Sequence, residues 1–410
     1  MSVRIKVART AHELEDVYRL RHAVYVGEEG YFEDSEAARG GMIVDRFDSF
    51  PKTANIIAYD GSEPVGTLRI NLDTGTGLPP DEVFDFSGYR DEVRRSASGQ
   101  GEPRFVSAGM LAIAKNWRNR RDVFRSLFKM AAGVAHSWGV TNIIATVNAK
   151  TVSIYRRLGF EAVGNQLWVD EIGEHVIPMT SPFASFYQWA FGHLGGRDLA
   201  LDAFSQSFQR LVLGAEETLF REGDPAHEAY MVDEGTVRIS RSVGADRHGL
   251  TLVTLRKGDL FGELSLIDDK PRSADAVAGT NAELIVLSRE DFLAAIAEDP
   301  GRSRALLGIL AERLRRMDDL AMILAYGSEE ERLEFVVRGL MDKAQADPKR
   351  PGWLTIRVGI SEIAKMAGVS EGEAHSFLEQ LARDGKIEFS NASIRFRNSF
   401  EVIPFHSSAG

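Results

Sequence analysis

The chain holds 410 residues, no cysteine and a formal net charge of −11. That length suits about two to four domains. The missing cysteine excludes disulfides, thiolate metal sites and a cysteine nucleophile, and the acidic balance excludes whole-chain attraction to nucleic acid or an anionic membrane. Apolar residues make up 44 %, enough for more than one core. No run of about 18 uninterrupted apolar residues reads as a spanning helix, and the opening MSVRIKVARTAHELEDVYRL lacks an apolar signal core. No metal site is expected, and the expected compartment is the cytoplasm.

In chain order, the strand-like runs VRIKVA, NIIAYD, VGTLRI and NIIATV alternate with the helical runs HELEDVYRLRHAVY and RDVFRSLFKMAAGVAHSWG. This alternation predicts a mixed α/β domain over 1–192. Residues 79–104 are polar and turn-rich and predict a long loop or short helix. The aromatic stretch SPFASFYQWAFG reads as a buried helix face or a partner surface, and GHLGGRD after it supplies a glycine joint. From 211 to 290 short apolar strands recur between the turns REGDPA, VDEGTV and RKGDLFGE, the spacing of an all-β roll. A long helix follows, with Leu306, Leu307, Ile309, Leu310, Leu314, Met317, Leu320 and Leu324 in steps that stripe one face. The stripe is long enough to pair with a second copy, so a homodimer is expected. This makes 199–324 one unit. In 325–410, helical runs, the turn AGVS and the hairpin NASIRFRN predict a winged helix-turn-helix. The fold class is multidomain α+β.

The most specific signal is GDLFGELSLIDDKPRSADAV, over 258–277. Gly262 lets backbone N–H groups approach an anion closely, and the turn that follows, from Glu263 and Leu264, favours a phosphate. Glu263 is an acceptor suited to a ribose hydroxyl. Arg272 offers a planar fork to two phosphate oxygens, and Ser273 adds a hydroxyl donor. The alternative is a surface turn in which Glu263 and Arg272 pair with each other. The segment resembles the phosphate-binding cassette of cyclic-nucleotide-binding domains, and the likeness runs from EGDPAHEAYMVDEGTVRIS to LSREDFLAAIAEDP. With the long helix and the winged helix behind it, 201–410 resembles the Crp/Fnr regulators. The resemblance implies cAMP or cGMP as ligand, held by Gly262, Glu263, Leu264, Arg272 and Ser273. It places Met317 and Asp318 near the purine, where catabolite activators carry Thr-Ser. Asp318 can accept from a guanine amino edge or stand as a solvated helix charge.

By the same resemblance, SEGEAHSFLEQL is the recognition helix. Base reading usually needs Arg, Lys, Asn or Gln near the helix start, whereas this helix begins with Glu371, Gly372 and Glu373. Residues 321–410 hold 11 Lys and Arg against 13 Asp and Glu, a net of −2, the wrong balance for phosphate neutralisation. Lys365, Arg395 and Arg397 offer a few backbone contacts. DNA is a disfavoured partner, and a structural module packed on another domain is the alternative.

The N-terminal pieces YRLRHAVYVGEEGYFED, DRFDSF, PVGTLRI, MLAIAKNWRNRRDVFRSLFKMA and NAKTVSIYRRLGFEAVG resemble the Gcn5-related (GNAT) acyltransferase fold. Within it they resemble the branch of N-acyl amino acid and acyl-homoserine-lactone synthases. The resemblance implies amide formation from a thioester, with acyl-carrier protein or acyl-coenzyme A as donor. It implies that the helix start after WRNRRD holds the donor, aided by Arg118, Arg120 and Arg121, or that those arginines are merely solvated. Asn148 falls where a side-chain amide contacts pantetheine. Tyr155 falls where the fold keeps a general acid, with packing near Phe160 as its alternative. Asp45 and Asp48 fall in the acidic motif that orients the amine acceptor, or they form a structural network with Arg21 and Arg69. Ser107 and Met110 stand where the synthases carry Glu and Arg, so the proposed base is absent. Two functions are expected: a cyclic-nucleotide-regulated N-acyltransferase acting on a small amine or amino acid, or a Crp/Fnr-type regulator that senses an acyl ligand.

Overall fold

The computed structural model describes residues 2–32, 36–97, 101–170, 172–191, 209–243, 248–298, 300–341, 344–347 and 350–397. The glycine joint expected at 192–198 lies outside them. The first half runs β1 (Val3–Val7), α1 (Ala11–His22), β2 (Thr53–Asp60), β3 (Glu63–Leu72), α2 (Ser87–Ser96) and β4 (Phe105–Ile113). It continues through α3 (Arg121–Ser137), β5 (Asn142–Asn148), α4 (Val152–Arg157), β6 (Glu161–Ala162), β7 (Leu167–Val169), β8 (Glu174–Pro182) and α5 (Phe183–Phe191). Local chemistry sets these bounds. Thr10 caps α1 and exchanges bonds with Glu13 in a capping box. Helix α3 lays Val123, Leu127, Ala131 and Val134 on the sheet. The aromatic stretch is a buried helix: Phe183, Phe186 and Phe191 of α5 pack against α3.

The second half opens with β9 (Gln209–Leu213), β10 (Thr218–Phe220), β11 (Glu228–Glu234), β12 (Val237–Val243) and β13 (His248–Leu255). It goes on with β14 (Leu260–Phe261), the short α6 (Leu264–Ile267), β15 (Asp275–Ala278) and β16 (Ala282–Ser288). These strands form a β-roll around Leu211, Val232, Val237, Phe261 and Leu284. Gly235, between β11 and β12, is the one residue that fits its turn. Its φ is +78°, and a Cβ there would meet the Asn281 carbonyl oxygen at 2.1 Å.

The two halves are not separate bodies on a string. Strand β1 pairs with β2 on one edge and with β9 on the other, both antiparallel, with Val3 opposite Val212 and Ile5 opposite Arg210. One sheet therefore runs β14-β11-β16-β9-β1-β2-β3-β4-β5-β8-β6 across both halves.

Behind the roll come α7 (Arg289–Glu298), the 27-residue α8 (Pro300–Tyr326) and α9 (Glu329–Met341). Leu307, Leu314, Met317, Met322 and Tyr326 on α8 are exposed. The last unit holds β17 (Gln345–Ala346), β18 (Trp353–Ile356), α10 (Ile360–Ala367), α11 (Glu371–Arg383), β19 (Ile387–Ser390) and β20 (Ser393–Arg397), the winged helix-turn-helix order. Helix α10 packs on β13 of the roll, where the Thr254 hydroxyl donates to Glu362 Oε1 at 2.9 Å. Among the described residues no helix is long and apolar enough to cross a membrane, and no cluster of His, Asp and Glu could hold a metal.

Candidate functional site

The cassette folds back on itself between β14 and β15. Gly262 takes φ +74°, and a Cβ there would stand 2.7 Å from Arg272 Nη1. Only glycine lets the guanidinium come that close. Arg272 is buried; it donates from Nη1 to the Gly262 carbonyl at 2.9 Å and from Nη2 to the Glu228 carbonyl at 2.7 Å. Its guanidinium lies over the Phe220 ring at 4.2 Å and near Tyr230 at 5.6 Å, a cation–π arrangement on two faces. Burial pushes the Arg272 pKa down, while Tyr230 and Glu228 pull it back up. Glu263 beside it is 0 % exposed. A charge this desolvated interacts strongly with a second charge brought to it.

The sequence-predicted residues divide at this point. Gly262, Glu263 and Arg272 come together in one buried corner, whereas Leu264 and Ser273 face solvent beside it. Met317, 62 % exposed, and Asp318 also face solvent, on α8. Glu263 and Arg272 are not an exposed pair on a surface turn. Sequence reasoning missed Phe220, Glu228 and Tyr230, which reach the corner from β10 and β11. Glu228 binds Tyr230 Oη at 3.0 Å.

In the first half the sheet opens at its centre. Strands β4 and β5 run parallel and pair only at Phe105–Asn142, Val106–Ile143 and Ser107–Ile144. Beyond Ala108, β4 continues along β3 alone, and β5 continues along β8 alone. Met110 marks the divergence with φ +51°, and the β3–β4 register shifts there. A non-glycine residue in that conformation is strained, so the bulge is a built feature. Past this point the facing edges of β4 and β5 are not paired with each other. Nearby, Tyr25 Oη donates to the Leu111 carbonyl at 2.9 Å.

Tyr155 is half-buried on α4, edge-on to Phe128 and Phe160, and burial pushes its phenol up to about 12. It therefore stays protonated near neutral pH, the state a proton donor needs. Asn148 spends its side-chain oxygen capping the next turn, accepting from Lys150 N at 2.9 Å. Helix α3 starts without a side-chain bond from its N-cap residue, and its first N–H groups are engaged locally. Arg121 N donates to the Asn119 carbonyl at 3.1 Å, Phe124 N donates to the Arg120 carbonyl at 3.4 Å, and the Asp122 carboxylate accepts from the backbone of Asp122 and Val123. Arg121 is exposed in that first turn. Arg118 is held by Glu28 and Glu29, and Arg120 by Asp122 at 2.7 Å.

Asp45 and Asp48 cap a short turn at Arg46–Ser49 and face inward. Asp48, 1 % exposed, accepts from Arg21 Nη1 at 3.0 Å and pairs with Arg69 at 2.9 Å. Arg69 also forks onto Asp45 at 2.6 and 2.9 Å. Burial alone would raise the Asp48 pKa, yet the two guanidinium groups hold it below the usual range. Ser107 is buried in β4. The winged helix uses its acidic start for itself: Glu373 accepts from Ser370 N at 2.7 Å in a capping box.

Comparison with known proteins yields two domain matches. The family "N-acyl amino acid synthase FeeM" matches residues 16–182, and "Cyclic nucleotide-binding domain" matches 210–299. The cyclic AMP receptor protein of Thermus thermophilus is 32 % identical over 211 residues, 51 % of this chain and 92 % of that protein. A CRP-like cAMP-activated global transcriptional regulator of Mycobacterium tuberculosis is 29 % identical over 203 residues, 49 % of this chain and 89 % of that protein. The solved structure of FeeM, an N-acyl amino acid synthase from uncultured soil microbes, is 20 % identical. It covers 45 % of this chain and 93 % of that one, with a TM-score of 0.36.

Proposed function

We propose, from the premise that the chain belongs through its C-terminal half to the Crp/Fnr family and carries a FeeM-type acyltransferase domain ahead of it, a cyclic-nucleotide-regulated N-acyltransferase. The observation that carries the nucleotide half is the buried Gly262–Glu263–Arg272 corner. There Arg272 exchanges its two backbone carbonyls for the phosphodiester of cAMP or cGMP, and Glu263 takes the ribose hydroxyl. Ser273 and the Leu264 backbone close the anion side, and Met317 and Asp318 approach the base once α8 folds over the roll. The exposed apolar residues of α8 suit a homodimer.

The acyl half rests on the β4–β5 cleft. Its donor is an acyl-carrier protein or acyl-coenzyme A. The thioester arm lies in the cleft, its phosphates reach the exposed Arg121 side chain at the start of α3, and Arg118 and Arg120 shape the rim. Asn148 borders the arm. The acceptor amine attacks the thioester carbonyl, the amide C–N bond forms and the C–S bond breaks. Tyr155 gives its proton to the leaving thiolate. Asp48, held charged by Arg21 and Arg69, and Asp45 beside it orient the acceptor ammonium rather than deprotonate it. With Ser107 in place of the synthases' glutamate, water or the acceptor's own carboxylate takes the amine proton. The setting for this chemistry is the cytoplasm.

Two measurements test the reading. Calorimetry should give cAMP or cGMP binding that Arg272→Ala abolishes; unchanged binding in that variant ends the nucleotide assignment. Free-thiol release should appear with carrier-protein or coenzyme A thioesters, and no turnover with any donor ends the enzyme assignment. A second reading, a transcription regulator, has the match across 92 % of a Crp-type receptor in its favour. Against it stand the acidic start of α11 and the docking of α10 on the roll. A DNA footprint without thiol release would select it.

A further inference from the structure

The nucleotide corner and the donor helix are fastened to opposite ends of one strand. At the start of β11, Glu228 gives its backbone carbonyl to Arg272. Its carboxylate accepts from Arg4 of β1, in the other half, at 2.6 and 3.1 Å. Burial would raise the Glu228 pKa, but Arg4 and Tyr230 bring it below its ordinary value. At the far end of β11, Asp233 and Glu234 receive Lys129 of α3, at 2.8 Å each. Lys129 also reaches Glu283 of β16 at 3.1 Å. Arg210 of β9 joins the same cluster, bonded to Asp233 and to Glu283 at 3.2 Å. Arg125, one turn nearer the donor end of α3, spans Glu283 at 2.6 Å and Glu234 at 2.7 Å.

Lys129, Arg210, Asp233 and Glu283 are all buried. Three cations face three carboxylates, and a fourth, Lys257, stands 4.0 Å from Asp233, so each buried carboxylate is compensated by charges that the docking brings together. Strand β11 from Glu228 to Asp233 spans about 17 Å, and Lys129 lies about 12 Å along α3 from Arg121. Both connectors are stiff hydrogen-bonded elements, so a shift at one end has few places to dissipate before it reaches the other.

From this placement we infer that β11 is the coupling element: nucleotide occupancy at Arg272 is transmitted through Glu228 and Arg4 at one end and through Asp233, Glu234 and Lys129 at the other to the donor helix α3. The inference rests on the nucleotide reading above and adds the route. When Arg272 turns to a phosphodiester, the Glu228 carbonyl loses its donor. The strand end then settles against Arg4 in a new position, and α3 follows through the ion cluster. A ligand shifts such an equilibrium only by its differential affinity for the two positions. The exchange of Arg272 between carbonyl and phosphate supplies that difference.

Amide hydrogen exchange on the full chain, with and without cAMP and separately cGMP, tests this without any acyl donor. Exchange in α3 should change by about tenfold on nucleotide addition. In Arg4→Ala the nucleotide should still bind within a few-fold of the parent, while the response in α3 falls away. Arg125→Ala, also on a half-exposed side chain, should weaken the response from the other end. Binding with unchanged exchange in α3 overturns the coupling and leaves the nucleotide site standing, and so does a full response in Arg4→Ala. Failure of the parent chain to bind either nucleotide removes the site itself and the coupling with it.

Discussion

Two buried ion networks in this chain use the same parts for different ends. In the first half, Asp48 and Asp45 on a short turn are pinned by Arg21 of α1 and Arg69 of β3, all within that half. At the junction, Asp233 and Glu283 are pinned by Arg210 and Lys129, and the charges come from elements of both halves. The first network reaches the surface at one point, since Asp45 keeps a quarter of its side chain exposed. In the second the carboxylates Asp233 and Glu283 are both buried, and Arg125 and Glu234 at its rim reach solvent. A buried ion pair contributes little net stability, but removing one partner is costly because the other is left uncompensated. Network position therefore decides what is lost: a local site in one case, the docking of two domains in the other.

The largest expected effect breaks the comparison directly. Asp233→Ala leaves Lys129 and Arg210 with Glu283 as their shared buried carboxylate, a cost of about 3–5 kcal/mol. Because that cost falls on the junction, urea unfolding should split into two transitions where the parent shows one. Asp48→Ala leaves the buried Arg21 without its carboxylate at a similar cost, while Arg69 keeps Asp45, and should shift the first half alone, without lowering nucleotide affinity. One shared transition in Asp233→Ala, or a nucleotide defect in Asp48→Ala, removes the distinction.

Acid sharpens the same contrast with a smaller effect. Asp48, Asp233 and Glu283 all have pKa values lowered in the fold, against burial that alone would raise them. Depressed carboxylates contribute stability that is present above their unfolded values, about 4, and is lost as pH falls through the folded ones. Each such group adds up to about 1.4 kcal/mol per pH unit to the slope. Stability measured from pH 5 to pH 3 should fall more steeply in the parent than in Asp48→Asn or Asp233→Asn. An unchanged slope in both variants would show that neither carboxylate titrates on unfolding.

Much of this was legible in the sequence, and the illegible part has a physical pattern. Gly262, Glu263 and Arg272 lie within eleven residues, so one turn brings them together and the local string carries the site. Phe220, Glu228 and Tyr230 arrive from other strands, and no short-range rule marks them. Of the junction, one half-signal was available. Ala229 and Met231 face one cluster while Tyr230 and Val232 face another, so Asp233 continues an apolar face, as Lys129 does between Phe128 and Met130 of α3. A charge in such a place needs a partner, but strand alternation cannot say from which half of the chain it comes. The parting of β4 from β5 was not foreseen at all. Its direct mark, the positive φ at Met110, is invisible where no glycine advertises it.

The smallest effect concerns a carboxylate outside both networks. Glu13 lies at the surface end of α1, paired with Lys6 at 2.5 Å and accepting from Arg9 N at 2.7 Å and Thr10 N at 3.1 Å. Burial would raise its pKa, yet Lys6 and the two amides carry it down to about 2. Its stabilisation is local: a helix start held in a capping box, worth about 1 kcal/mol. Glu13→Ala should therefore lower the melting temperature by a few degrees and leave the two-domain transition intact, a deficit that vanishes as pH falls from about 4.5 toward 2. Strand β1 ends two residues before Arg9 and carries Arg4 to the junction. If Glu13→Ala also weakens the exchange response of α3 to nucleotide, the capping box positions β1, and the junction extends further into the first half than its ion pairs alone define.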